Sequence, residues 1–243
     1  MAYVTVVLNQ KGGIGKSTIT VNLSATIAEV SGDAGGAASV AAVSVDPQGS
    51  TVWWSERVGE GLPFRFVDAY DDLDGIKSLR DLTAIKHAVI DTPGWMVPEA
   101  RKPGADPLGT GPISDAIRAS LDAADFVIVP IEPEPMGFEP TQSTIERIIK
   151  PRGIPFVVVV SNWDPRDGTV DLEDTKAFVN AQGWPLARTV IRHYKLHSRA
   201  AADRMVVTRY PKSRVAQEAQ KDFLNLALEH QILLADARSG EAR

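Results

Sequence analysis

The chain has 243 residues, 44% of them hydrophobic and 23% charged, enough to bury a full core as one large α/β domain or two small ones. It has no cysteine, which excludes disulfides, thiolate metal sites, iron–sulfur ligation and cysteine nucleophiles. The net charge of −5 conceals an asymmetry: nine basic residues face two acidic ones between Arg188 and Lys221, so that stretch carries +7 and the remainder −12.

The run VTVVL (4–8) reads as a first strand. No basic leader precedes it and no apolar run approaches the ~20 residues of a membrane span, so a cytoplasmic protein without a signal peptide is expected. A glycine-rich stretch, NQKGGIGKST (9–18), leads into a helix over 16–30, and SGDAGGAA (31–38) has the composition of a flexible turn. Strands follow at VAAVSV (40–45), FRFV (64–67) and HAVI (87–90). Residues 95–112, with four prolines and three glycines, predict a long loop. A helix over 113–123, the strand FVIVPI (126–131), a helix over 140–149, the strand FVVVVS (156–161) and a helix over 172–182 complete the alternation. Weaker strands are expected at RTVI (188–191) and MVV (205–207), before a final helix over 213–235. Near-continuous apolar strands alternating with helices point to an α/β fold, doubly wound, with a mostly parallel sheet and helices on both faces. No linker or internal repeat divides the chain, so one domain over 1–243 is expected.

Three short motifs carry the chemistry. In NQKGGIGKST the residues Gly15, Lys16 and Ser17 end a phosphate loop, but Gln10 stands where the usual pattern has its first glycine, and a second lysine, Lys11, follows it. Gly12, Gly13, Ile14 and Gly15 form a tight curl whose backbone N–H groups, with the helix N-terminus, face an anion. Lys16 reaches the terminal phosphates, the Ser17 hydroxyl holds Mg²⁺, and Thr18 donates to the α-phosphate. In HAVIDTPG, Asp91 ends a strand and is placed to hold Mg²⁺, while the Gly94 N–H senses the γ-phosphate. In SVDPQGS, Asp46 ends another strand on the ligand side of the sheet, where it can orient water and contribute to the metal site. On its own it also fits a turn or helix-capping aspartate.

K-G-G-I-G-K-S-T, V-D-P-Q-G and V-I-D-T-P-G, in that order, resemble the ParA family of partition ATPases, within the wider deviant Walker A group that includes MinD. The resemblance covers nearly the whole chain. It implies a P-loop NTPase fold, ATP and Mg²⁺ as cofactors, ATP hydrolysis, and a homodimer that sandwiches two ATP molecules. Lys11 would reach across to the partner subunit's phosphates, Asp46 would be the water-orienting aspartate, Asp91 the Walker B aspartate and Asn162 an adenine contact. Departures are Ser44, where many relatives have an aspartate, and the length of the 95–112 loop.

The phosphate loop starts nine residues from Met1, so an N-terminal helix-turn-helix domain is not expected. The basic segment resembles the region through which such dimers bind DNA without sequence preference. Arg188, Arg192, Lys195, Arg199, Arg204, Arg209, Lys212 and Arg214 are the candidate contacts. The expected function is therefore segregation or positioning of a plasmid or similar replicon with a ParB-like partner, on the nucleoid when ATP-bound. The rival is a MinD-like ATPase that switches on a membrane or positions a protein cargo. Glu229, Asp236 and Glu241 make the terminal helix a poor partner for anionic lipid, and Phe223, Leu224, Ala227, Leu228 and Ile232 suggest a helix packed on the core. Trp53 and Trp54, just beyond DPQGS, fit either interface anchors or core packing, of which core packing is the expected role. A metabolic synthetase shares the fold but would need pocket residues that the sequence does not display.

Overall fold

The computed structural model describes residues 1–32, 39–97 and 104–241. The expected turn at 31–38 falls mostly outside the described residues, as does the middle of the 95–112 loop. Seven strands, β1 (Tyr3–Val7), β2 (Val40–Ser44), β3 (Arg65–Asp68), β4 (His87–Asp91), β5 (Phe126–Ile131), β6 (Phe156–Trp163) and β7 (Leu186–Arg192), form one sheet in the order β3-β2-β4-β1-β5-β6-β7. Every pairing is parallel.

The strands alternate between two buried faces, which is why they read as continuous apolar runs. Val158 and Val160 of β6 join one core cluster, Val157 and Val159 the other, and all four are buried. Helices α3 (Leu73–Lys77), α4 (Pro112–Ala123), α5 (Phe138–Thr144) and α6 (Val170–Ala181) cover the first face. The second is covered by α1 (Lys16–Val30), α2 (Ser50–Val58), α7 (Lys195–Ala202) and α8 (Arg214–Glu241). Helix α1 is buried nearly all round, with Ile19, Leu23 and Ile27 against neighbours and Asn22 satisfying the Val207 N–H at 2.8 Å.

The chain leaves β1 towards β2 on one side and crosses from β4 to β5 on the other. Open α/β sheets hold their ligands at such a switch point, beyond the C-terminal strand ends. The loop at 9–15 starts from that point.

Several expectations change. MVV (205–207) is no strand: Val206 and Val207 are buried against the helices of the second face, and a 3₁₀ turn starts at Val207. Short buried apolar runs look alike in sequence whichever element they serve. The helix expected over 140–149 begins at Phe138 and widens into a π turn at Ile145–Ile149. Helix α8 does pack on the core, but through Phe223, Leu226, Ala227 and Leu234. Leu224, Leu228 and Ile232 face outward, one turn apart. Of the tryptophan pair, Trp54 is buried and donates to the Met205 carbonyl at 2.9 Å. Trp53 is 48% exposed with the Arg57 guanidinium over its ring, so core packing holds for one of the two.

Candidate functional site

A cavity of about 1490 Å³ opens at the C-terminal ends of β1, β2 and β4. Lys11, Gly12, Gly13, Gly15, Lys16, Ser17, Thr18, Asp46 and Gly94, from all three motifs, line it.

The loop is shaped by its anchors. Asn9 donates to the Pro130 carbonyl and to the Thr141 hydroxyl, both at 2.8 Å, and accepts the Lys11 N–H at 3.0 Å. Ser161 of β6 donates to the Ile14 carbonyl at 2.8 Å, and the Ile14 side chain is buried in the body of the protein. Gly15 caps α1 at φ 86°, a left-handed conformation that favours glycine. On the opposite wall Gly94 approaches so closely that a Cβ there would sit 2.9 Å from Gly12 Cα and N. Only glycine lets the two loops meet.

Lys16 is almost wholly buried, and its ammonium donates to the Asn9 carbonyl at 3.1 Å and the Lys11 carbonyl at 2.8 Å. Burial pushes it down to about 8, against the attraction of Asp91 and Asp46. Asp91 is fully buried at the end of β4. Burial pushes its carboxyl up to about 6, opposed by the hydroxyls of Thr51 and Ser17 and by the charge of Lys16. The Thr51 hydroxyl donates to Asp91 Oδ2 at 2.5 Å, whereas Oδ1 has no hydrogen-bond partner among the described residues. Asp46 accepts the Gln48 N–H at 2.9 Å in the turn before α2, so the turn aspartate and the cavity aspartate are one residue.

The donor set fits Mg²⁺ with a polyphosphate. A buried orphan carboxylate oxygen beside a serine hydroxyl offers two positions to a hard cation. No group of three or more acidic or histidine side chains able to hold a metal occurs among the described residues. An ion here would therefore complete its shell with phosphate oxygens and water, as Mg²⁺ commonly does.

Lys11 lies differently from the other loop residues. Its ammonium is folded against Glu132 at 2.9 Å and Glu134 at 3.2 Å, just beyond β5. Burial works against its charge, but the two carboxylates outweigh it and hold the ammonium above the ordinary lysine range. Asn162, the expected adenine contact, sits near the end of β6 at φ 60°. It donates to Glu132 Oε1 at 2.6 Å and accepts from the His193 ring. Thr51, Glu132, Glu134 and His193 escaped the sequence analysis. The acidic pair in PIEPEP, directly after an apolar strand, was a readable signal; nothing in the sequence marked Thr51 or His193.

The basic segment spans the edge strand β7, helix α7 and the connection into α8. Arg192 is half-buried, and its guanidinium donates to Asp222 at 2.9 and 2.7 Å and to the Glu218 carbonyl. Arg209 pairs with Glu29, and Arg214 with Glu218. Arg188, Lys195, Arg199, Arg204 and Lys212 are exposed and make no ion pair among the described residues.

Known proteins share this fold. The septum site-determining protein MinD of Pyrococcus horikoshii, solved with Mg-ADP, superposes with a TM-score of 0.65 at 19% identity, over 98% of this chain and 99% of that chain. At that identity the likeness concerns the fold. A maintenance of carboxysome distribution protein A from Gloeobacter kilaueensis is 31% identical over 226 residues, 93% of either chain. The chain belongs to the ParA/MinD family of P-loop ATPases. A second carboxysome distribution protein A, from Halothiobacillus neapolitanus, is 24% identical over 92% of this chain and 95% of its own length. No family model matches the chain. Among the described residues no helix is long and apolar enough to cross a membrane.

Proposed function

We propose that this member of the ParA/MinD family binds ATP with Mg²⁺, dimerises on it, binds DNA without sequence preference and uses hydrolysis to distribute a cargo. The observation that carries this reading is the placing of buried Lys16 and of Asp91, whose Oδ1 is buried without a hydrogen-bond partner among the described residues, at one glycine cradle. A buried cation held by loop carbonyls, near a carboxylate with one unpartnered oxygen, suits a ligand that brings both phosphate and metal.

In this reading the N–H groups of Gly12, Gly13 and Gly15 and the start of α1 bind phosphate oxygens. Lys16 exchanges its two carbonyl partners for the terminal phosphates. Ser17 and Asp91 would hold Mg²⁺, with Asp46 close by, and the bound ion would supply positive charge beside the phosphates. Asp46 orients the attacking water and accepts its proton. Lys11 supplies a further positive charge to the partner subunit's nucleotide, and Asn162 contacts the base. Arg188, Lys195, Arg199, Arg204 and Lys212 contribute the DNA surface, while Arg192 serves the fold.

For the cargo, two carboxysome distribution proteins as relatives favour a carboxysome or similar body over a replicon with a ParB-like partner. Cosedimentation with linear DNA of unrelated sequence and with anionic vesicles, under ATP or ADP, tests the DNA step. ATP-dependent, salt-sensitive binding to DNA is expected. Recruitment to vesicles in its place would transfer the chain to the MinD-like mode.

A further inference from the structure

Lys11 is not poised towards solvent, where a second subunit would meet it. Its ammonium lies between two carboxylates of its own chain, and only a fifth of the side chain is exposed. The Glu132 side chain is more deeply covered still, at 11% exposure. A carboxylate this desolvated needs its partners, and it has two: Lys11 on Oε2 and the Asn162 amide on Oε1. Asn162 is in turn fixed by the His193 ring and by a left-handed backbone that asparagine adopts more readily than most residues. Lys11, Glu132, Asn162 and His193 thus form one connected series across the ends of β5, β6 and β7. One end is the loop lysine, and the expected base contact, Asn162, lies two steps along, between Glu132 and the terminal His193 ring.

We infer that Glu132 is a positioning residue that latches Lys11 inside its own subunit until nucleotide binding releases it. The inference rests on the ATP-dimer reading above. A base approaching Asn162 competes for the amide that steadies Glu132, so Glu132 loses one of its two partners. Lys11 then exchanges a weakened intramolecular pair for the partner subunit's phosphates. With the latch closed, only a fraction of monomers is competent to dimerise, and the apparent dimerisation constant is weakened by that fraction. Glu134, which is far more exposed than Glu132, adds a weaker second hold on the same ammonium.

The test is an ATPγS titration of the full chain with Mg²⁺, followed by sedimentation velocity. Wild type, Glu132→Gln, Glu134→Gln and Asn162→Ala are compared, with melting temperature and single-site nucleotide affinity measured for each. Glu132→Gln is expected to dimerise at about three- to tenfold lower nucleotide than wild type, with Glu134→Gln shifted less in the same direction, and Asn162→Ala likewise once its midpoint is scaled by its own single-site nucleotide affinity. A lowered midpoint is a gain in dimerisation, which loss of a merely structural contact at Glu132 would not give. If wild type dimerises and no carboxylate variant shifts its midpoint downward, the latch is wrong and the dimer stands. If wild type stays monomeric at saturating nucleotide, the dimer reading falls and the latch with it. Should Glu132→Gln fail to fold, Glu134→Gln decides by the same criterion.

Discussion

Lys16 and Asp91 are each displaced from their ordinary titration ranges by the same burial, in opposite directions, and each displacement has a consequence. Asp91 titrates near 6 in the folded chain against an ordinary value of 3.8. Between those pH values the folded state keeps a proton that the unfolded state has lost. Stability therefore falls as pH rises through that window, by an upper bound of about 3 kcal/mol, and stays reduced above it. Asp91→Asn should then raise the melting temperature of the nucleotide-free protein by roughly 5 °C at pH 7.5 and leave it unchanged at pH 3.5. The same variant should lose the extra thermal stabilisation that Mg²⁺ adds to ATP. A lower melting temperature at pH 7.5 would show that Asp91 is held by contacts worth more than its desolvation. For Lys16, with its ammonium near 8, phosphate binding draws on a protonated form that thins out in alkali. ATP affinity measured without Mg²⁺ should change little between about pH 7 and 7.5 and fall by up to about tenfold per pH unit above 8, as isothermal titration would show. Lys16→Ala should remove binding altogether. Lys16 and Asp91 were both legible in the sequence because their motifs have fixed spacing. Thr51, which donates to Asp91 from α2, was not, because a single hydroxyl forty residues away leaves no periodic trace.

At the scale of elements, the strands were readable and the short helices were not. Val157–Val160 announce a strand buried on both faces, and the structure places them so. Helices α2, α3 and α7, of 9, 5 and 8 residues, are too short to display a 3.6-residue period, and their form depends on what they pack against. The face of α8 was misread for a related reason. Phe223, Leu224, Ala227 and Leu228 all carry apolar side chains, and composition alone does not say which pair of them turns inward. The contact between the phosphate loop and the turn after β4 belongs to this scale too. Since a Cβ on Gly94 would press on Gly12 and on the Gln10 carbonyl at 3.1 Å, Gly94→Ala must displace one loop from the other. Both loops are anchored well behind that point, through Asn9 and through Thr92, which donates to the Val7 carbonyl. The displacement should therefore be local. ATP affinity is expected to fall by about tenfold or more while the melting temperature changes by only a few degrees. Unfolding of the variant would instead mean that the contact holds the sheet end together.

For the molecule as a whole the charge distribution matters more than its sum. A chain at −5 would repel DNA if its charge were evenly spread, but the +7 stretch is gathered in the edge strand β7, in α7 and in the start of α8, the two helices lying on the second face of the sheet. Sequence alone could not divide that stretch. Eight cations looked equivalent, yet Arg192 satisfies Asp222 and the Glu218 carbonyl, so its charge is spent within the fold. A comparison of two variants follows. Lys195→Ala with Arg199→Ala should leave the melting temperature near wild type and weaken DNA binding for every sequence tested. It should also reduce the slope of log affinity against log salt by about one for each DNA phosphate left without its cation, counted per subunit. Arg192→Ala should do the converse, lowering stability by about 1–3 kcal/mol because it leaves Asp222 buried without its partner. Where the folded Arg192 variant can be assayed, its salt slope should match wild type. A reduced slope for Arg192→Ala, with an unchanged one for the α7 pair, would move the DNA surface from α7 to the exposed flank of β7 and require a different docking of the dimer.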